Sequence, residues 1–151
     1  MILLLQRVSR ASVRVSGETV GEIGTGLLVL ACVEPGDSSE AMDEAARKTV
    51  ELRVFEDGQG KMNLDVTQAQ GSVLAVSQFT LGADLSRGRR PGFEGAARPE
   101  EARPLFGRYL AALRASGVPV ATGSFGAMME VELVNDGPAT FSWRTKRNPV
   151  V

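Results

Sequence analysis

The sequence predicts a single domain of the α+β class, in which two helices flank a core sheet of antiparallel or mixed strands. Its 151 residues, with 43% hydrophobic content, match the size of one compact core. Short apolar or alternating segments bounded by turn residues predict the strands. These segments are residues 2–8, 12–15, 19–23, 27–33, 61–64, 71–81, 129–133 and 139–143. We expect the domain to span residues 1–145 and residues 146–151 to form a basic C-terminal tail.

Two helices are predicted from their end signals and their apolar periodicity. The first follows the run Gly36-Asp37-Ser38-Ser39-Glu40, which offers N-cap residues, and continues to about Leu52. The second begins at Pro99, which suits a first helical turn, and ends before Gly117, which suits the residue just past a helix. Its apolar residues follow the spacing of one buried stripe. The predicted core residues of this helix are Ala102, Leu105, Phe106, Tyr109, Leu110 and Leu113.

The absence of histidine is the most informative feature of the composition. It excludes Ser-His-Asp and Cys-His catalysis, zinc sites with histidine ligands and zinc deaminase chemistry. Cys32, the only cysteine, lies in an apolar segment where we expect a buried, unreactive thiol. The chemistry must therefore use hydroxyl groups, carboxylates, Lys61, backbone groups or the substrate itself, and we expect neither a metal nor a cofactor.

The charge and the hydropathy pattern argue against a membrane or a long nucleic acid as the main partner. The formal net charge is −1, which is unsuited to holding long nucleic acid through the overall field. The apolar run from Met1 to Leu5 is too short for a signal-peptide core, and no run of about 18 apolar residues follows it. We expect a soluble, cytoplasmic protein.

Basic side chains are concentrated in one long aperiodic segment, residues 82–97 with the adjoining Arg98, and near the C-terminus. A loop of this length in a compact domain is usually functional or disordered. Two interpretations stay open, because such side chains are either simply solvated or in contact with phosphates. The residues are Arg87, Arg89, Arg90 and Arg98, and Arg144, Lys146 and Arg147.

Two polar patches are candidates for a functional site. Ser77-Gln78-Phe79-Thr80 follows the apolar residues 73–76, so hydroxyl and amide groups stand at the end of a buried strand. These groups need partners, which either a turn or a substrate supplies. Asn135-Asp136-Gly137-Pro138 separates two predicted strands. It is either an ordinary turn or a cis Gly-Pro bend that exposes backbone carbonyls.

These patches belong to a larger resemblance, because segments along nearly the whole chain resemble the D-aminoacyl-tRNA deacylase family. One such segment would be weak support for the resemblance, whereas several segments at matching separations along the chain give strong support. The segments are residues 6–13 and 57–64, Ser77-Gln78-Phe79-Thr80-Leu81, Arg87-Gly88-Arg89-Arg90-Pro91-Gly92-Phe93, Gly123-Ser124-Phe125-Gly126-Ala127-Met128-Met129 and Val134-Asn135-Asp136-Gly137-Pro138.

The resemblance implies a homodimer with a β-barrel-like core that hydrolyses the ester linking a D-amino acid, or glycine on a non-cognate tRNA, to the tRNA 3′ end. It implies that Gly137 and Pro138 form a cis pair, enter the partner subunit's pocket and exclude L-amino acids by steric conflict. Arg7 is similar to the residue that braces this pair. Phe125 is similar to the residue near the terminal adenosine.

The resemblance also implies that Ser77, Gln78 and Thr80 surround the ester. An unactivated Thr80 hydroxyl is a poor nucleophile without an adjacent base, so we favour water as the attacking group, assisted by the tRNA ribose hydroxyl. Hydrogen-bond donors near these residues would stabilise the oxyanion, the negative charge that develops on the ester carbonyl oxygen during the attack. Two alternatives to this function stay open. One is a non-catalytic tRNA-binding module of the same fold, and the other is a general threonine or serine hydrolase.

Overall fold

The computed structural model describes residues 1–145. The basic tail predicted at residues 146–151 lies outside the described residues. The strands are β1 (Ile2–Val15), β2 (Glu18–Ile23), β3 (Gly26–Cys32), β4 (Phe55–Glu56), β5 (Met62–Leu64), β6 (Ser72–Ser77), β7 (Val120–Thr122) and β8 (Glu130–Arg144). The helices are α1 (Ser39–Glu51) and α2 (Pro99–Ala115), and a 3-10 helix spans Phe79–Gly82.

Six strands form one mixed sheet that closes almost completely into a barrel. The order is β2-β1-β3-β6-β7, and β8 pairs with the long strand β1. The pairs of β1 with β2, β3 and β8 are antiparallel, whereas β6 is parallel to β3 and to β7. Gly21 of β2 packs so closely on the carbonyl of Thr122 in β7 that a side chain there would collide with it. This contact brings the two ends of the sheet together and confirms the predicted α+β barrel-like core.

The sheet separates two apolar clusters, because alternate residues of a strand point to opposite faces. The cluster inside the barrel contains Val8, Ala11, Val13, Ile23, Leu28, Leu74 and Val76. The larger cluster lies between the outer face of the sheet and the two helices, and it contains Leu27, Val29, Val73 and Ala75 from the same two parallel strands. Both helices therefore stand on one side of the barrel.

The helices follow their end signals closely. The Ser38 hydroxyl accepts a hydrogen bond from the Ala41 amide at 3.3 Å and caps α1, which ends at Glu51 with Leu52 as its C-cap. Pro99 begins α2 as predicted. Of the predicted stripe, Ala102, Phe106, Tyr109 and Leu113 are buried, whereas Leu105 and Leu110 are partly buried at the margin of the core.

Several strand predictions are wrong in detail. Residues 2–8 and 12–15 belong to the single strand β1, which stays continuous because β8 pairs along most of its length. The strand predicted over residues 71–81 ends at Ser77, where the chain enters the 3-10 helix. Strands β4 and β7 have only two and three residues and were not predicted, since such short segments have no recognisable period.

The described helices contain no segment with the length and hydropathy needed to cross a membrane. The apolar start of the chain has a place in the fold instead. Met1, Leu3 and Leu5 are fully buried between the sheet and the helices.

Tyr109 offers a spectroscopic test of this packing. Its hydroxyl lies 2.8 Å from the Thr49 hydroxyl in the core between the helices, and burial raises its pKa far above the ordinary value. Because the folded protein holds the phenol in its neutral form, burial of Tyr109 contributes fully to the free energy of unfolding below the unfolded pKa of about 10. This contribution is lost as the pH rises above that value. Tyr109 is the only tyrosine, so phenolate absorbance should appear only together with alkaline unfolding. Reversible titration near pH 10 in the folded protein would contradict this packing.

Candidate active site

A cavity of about 600 Å³ opens where β6 ends, beside the first turns of α2 and the segment that follows β7. Four of the predicted site residues line it together: Ser77, Gln78, Thr80 and Phe125. The walls are mostly apolar, with contributions from Val76, Phe106, Met129 and Val131. An apolar cavity of this size with a few convergent polar groups is the usual form of a small-molecule site.

The polar groups stand in the cavity because β6 ends there. The Gln78 amide donates to the Ala31 carbonyl at 2.8 Å, and the next residues turn into the 3-10 helix. The Gln78 side-chain amide then donates to the Thr80 hydroxyl at 2.5 Å. The first amides of a helix have no acceptor inside that helix, so the N–H groups of Phe79 and Thr80 are candidate donors to a ligand.

The described lining of the cavity provides no general base for the Thr80 hydroxyl. Among the described residues that line the cavity there is no Asp, Glu or Lys, and the chain has no histidine. Cys32 also lines the cavity, but burial, reinforced by the negative charge of Glu34, raises the pKa of its thiol. The thiol is therefore protonated at neutral pH, and the site holds no activated side-chain nucleophile.

Phe125 forms an ordered part of the cavity wall. Its ring centroid lies 6.1 Å from that of Phe106, and the Arg103 guanidinium lies over it at 4.6 Å from the centroid. Sequence reasoning missed the contributions of Arg103 and Phe106 to the wall. Phe106 has the spacing of a core residue of α2, and Arg103 resembles the many other charges on the exposed helix face.

Residues 135–138 are not a turn between two strands, as the sequence suggested, but part of the continuous strand β8. The register between β1 and β8 shifts on either side of Val8, so this segment bulges from the ladder. The Gly137-Pro138 bond is cis, and both residues are exposed. Pairing with β1 on both sides of the bulge keeps the strand continuous, which local turn residues cannot reveal.

Arg7 and Asn135 hold this bulge in position. The buried Arg7 side chain donates to the Asp136 carbonyl at 3.0 Å and to the Val54 carbonyl at 2.7 Å, and it also lies 3.1 Å from the Asp136 carboxylate. The Asn135 amide donates to the carbonyls of Arg7 at 2.9 Å and Ala139 at 3.2 Å. The exposed Gly-Pro pair is therefore flanked by residues that are hydrogen-bonded to β1, and Arg7 links this strand to the segment before β4.

The chain does not bring all predicted site residues to one place. Gly137, Pro138 and Arg7 are absent from the described residues that line the cavity. Thus the pocket residues and the Gly-Pro bulge form two separate surfaces of one chain.

The loop with the arginine cluster packs beside the cavity. Asp84 and Gly92 form an isolated antiparallel bridge that encloses Arg87, Arg89 and Arg90, all of which are exposed. Phe93 contacts the cavity residue Phe79, with the ring centroids 5.3 Å apart. No group of three or more potential metal ligands occurs within residues 1–145.

Together, the barrel and its cavity define a small-molecule site whose described lining carries hydroxyl and amide groups but no histidine and no carboxylate. A family model described as D-Tyr-tRNA(Tyr) deacylase matches residues 4–144, and the chain belongs to this family.

Similar proteins agree with this assignment. The chain is 58% identical over 142 residues to a D-aminoacyl-tRNA deacylase of Shewanella sp. (strain MR-4), covering 94% of this chain and 98% of that protein. The D-aminoacyl-tRNA deacylase of Symbiobacterium thermophilum is 58% identical over 137 residues, or 91% of each chain.

Two solved structures share the fold. One, titled c-Myc DNA Unwinding Element Binding Protein, is 37% identical with a TM-score of 0.91, covering 97% of this chain and 100% of that one. Another, titled as a probable eukaryotic D-amino acid tRNA deacylase, has a TM-score of 0.77 at 17% identity, covering 94% of this chain and 97% of that one. The second likeness concerns the fold alone.

Proposed function

We propose that this chain hydrolyses the ester bond between a D-amino acid and the 3′ end of tRNA, and that it also accepts glycine on a non-cognate tRNA. One observation carries the proposal: in a member of the deacylase family, Ser77, Gln78 and Thr80 converge in an apolar cavity that holds no activated nucleophile. Such a site suits an ester that water attacks once a neighbouring group of the substrate assists.

The reaction proceeds by attack of water on the ester carbonyl, with the neighbouring ribose hydroxyl assisting. The carbonyl oxygen becomes an oxyanion, which is stabilised by N–H groups at the start of the 3-10 helix and by the side-chain N–H of Gln78 that does not bind Thr80. One such donor contributes about 10²- to 10³-fold in rate. The tetrahedral intermediate then breaks its bond to the ribose oxygen, which takes a proton and leaves as the tRNA hydroxyl, while the D-amino acid is released.

The chain acts as a homodimer in which Gly137 and Pro138 of one subunit enter the cavity of the other. Their exposure, and their separation from the cavity of their own chain, support this arrangement. At the cavity itself, Phe79 and Met128 are 59% and 91% exposed, which is more apolar surface than water favours. Main-chain atoms of the entering pair then exclude L-amino acids by shape. Sedimentation that shows only the 16.0 kDa monomer at assay concentrations would contradict the arrangement.

The direct test of the function compares D-tyrosyl-tRNA and L-tyrosyl-tRNA as substrates in the presence of EDTA. We expect release of the D-amino acid only, and no effect of the chelator. If neither ester is cleaved, a non-catalytic tRNA-binding module is the better description. Equal release from both would refute selection by shape.

Thr80→Ala tests whether the chain is instead a threonine hydrolase. We expect the variant to keep kcat within about tenfold, because the hydroxyl accepts a hydrogen bond from the Gln78 amide and has no base beside it to activate it. Loss of nearly all turnover, about 10⁴-fold or more, would identify Thr80 as the nucleophile. Thr80→Ser, which keeps a hydroxyl, is the matched control.

A further inference from the structure

Arg103 is the only charged residue among the described residues that line the cavity. It lies in the second turn of α2, its side chain is exposed, and its guanidinium rests on the Phe125 ring at the rim. No carboxylate within residues 1–145 lies in ion-pair distance of it. Glu101, two residues before it, instead accepts a hydrogen bond from the Gly36 amide at 3.3 Å.

The charge of Arg103 restricts which part of a charged substrate lies beside it. An aminoacyl-tRNA end carries a positive α-ammonium group on the amino acid and negative phosphodiesters along the nucleic acid. A cation repels the first and attracts the second. The amino acid must then lie towards Ser77 and Thr80, and the nucleotide chain must leave the cavity past Arg103.

The volume of the cavity supports the same orientation of the aminoacyl-tRNA end. A volume of about 600 Å³ holds a single drug-sized group rather than a stretch of nucleic acid. The phosphodiester that precedes the terminal nucleoside therefore reaches the rim. The N–H donors of a guanidinium lie in its plane, so a guanidinium whose face contacts Phe125 keeps donors available for two phosphate oxygens.

We propose that Arg103 forms a phosphate subsite at the rim of the cavity, which binds the phosphodiester next to the esterified nucleotide. This inference rests on the proposed function. Arg103 is thus a positioning residue that improves binding of the tRNA end without taking part in ester cleavage.

The test uses three D-tyrosyl esters that differ in their phosphates: the ester of adenosine, the ester of the dinucleotide cytidylyl-adenosine, and D-tyrosyl-tRNA. Arg103→Ala should raise KM about tenfold more for the dinucleotide and tRNA esters than for the adenosine ester, because only the first two carry the phosphodiester, and the change should fall on KM rather than on kcat. The dependence of log KM on log salt for tRNA should become shallower by about one unit. Arg103→Lys should restore part of the binding because it keeps the charge.

Arg114→Ala is the matched control, because Arg114 is exposed in the last turn of the same helix and does not line the cavity. An equal loss on all three esters would overturn the inference, since Arg103 would then act only by holding Phe125. Unchanged KM values for every ester would overturn it as well. If the unsubstituted protein cleaves none of the three, the proposed function itself fails, which is a distinguishable result.

Discussion

Arg7→Ala should lower kcat/KM for D-aminoacyl-tRNA by about 100-fold, because a displacement near 1 Å of a positioning group can cost this much. The substitution removes two hydrogen bonds to carbonyls and the contact with the Asp136 carboxylate. It also leaves the carbonyl of Val54 without its donor, which costs about 1 to 3 kcal/mol of folding stability. Activity and thermal unfolding should be measured on the same preparation.

Two further variants separate the bracing role of Arg7 from a general loss of charge. Arg7→Lys keeps the charge but not the planar fork, so we expect it to recover only part of the activity. Arg10→Ala removes an exposed arginine of the same strand whose partner, Glu132, is also exposed. This control should behave like the unsubstituted chain. Equal activity of the Arg7→Ala and Arg10→Ala variants would contradict the proposed bracing of the Gly-Pro pair.

Mixing Arg7→Ala with a second inactive variant should restore part of the lost activity if the Gly-Pro pair of one subunit completes the cavity of the other. Ala127→Trp fills the cavity with a bulky ring and leaves the bulge of β8 intact. After subunit exchange in an equal mixture, about one quarter of the sites should combine an open cavity with an intact motif. No gain of activity in a mixture that has exchanged subunits would argue that each chain uses its own Gly-Pro pair.

Gly137→Ala should lower kcat/KM for D-aminoacyl-tRNA by a similar factor, about 100-fold, and weaken the preference for D over L substrates. A Cβ at this position would lie 2.7 Å from the Asn135 side-chain oxygen. The Asn135 side chain must then move, and its hydrogen bonds to the carbonyls of Arg7 and Ala139 are lost or weakened. Because the bulge is exposed, the fold should persist.

Gly24→Ala is the matched control for this substitution. Gly24 lies in the turn between β2 and β3, and a Cβ there meets no other atom within 4 Å. The two variants add the same methyl group, so a difference in activity reports the position rather than the chemistry. Unchanged kinetics and selectivity in Gly137→Ala would show that the exact position of the pair does not matter.

The local features of this protein follow from the sequence because short-range forces determine them. The capped start of α1 within residues 36–40, the start of α2 at Pro99 and the burial of Phe106 and Tyr109 depend on side chains within a few residues of one another. The polar end of β6 was recognised in the same way, although the 3-10 turn after Ser77 was not. The absence of histidine depends on composition alone, and it excludes every mechanism that needs an imidazole base.

Only the tertiary structure decided how these pieces meet. The barrel closes through Gly21 and Thr122, and Arg7 supports Asp136 from 129 positions away in the chain. Whether residues 135–138 form a turn or a bulge depends on the register of β8 with β1, and the cavity exists only because β6, α2 and Phe125 pack together. Such contacts depend on the packing of distant segments, and a local pattern of residue types carries no information about which distant partner it will meet.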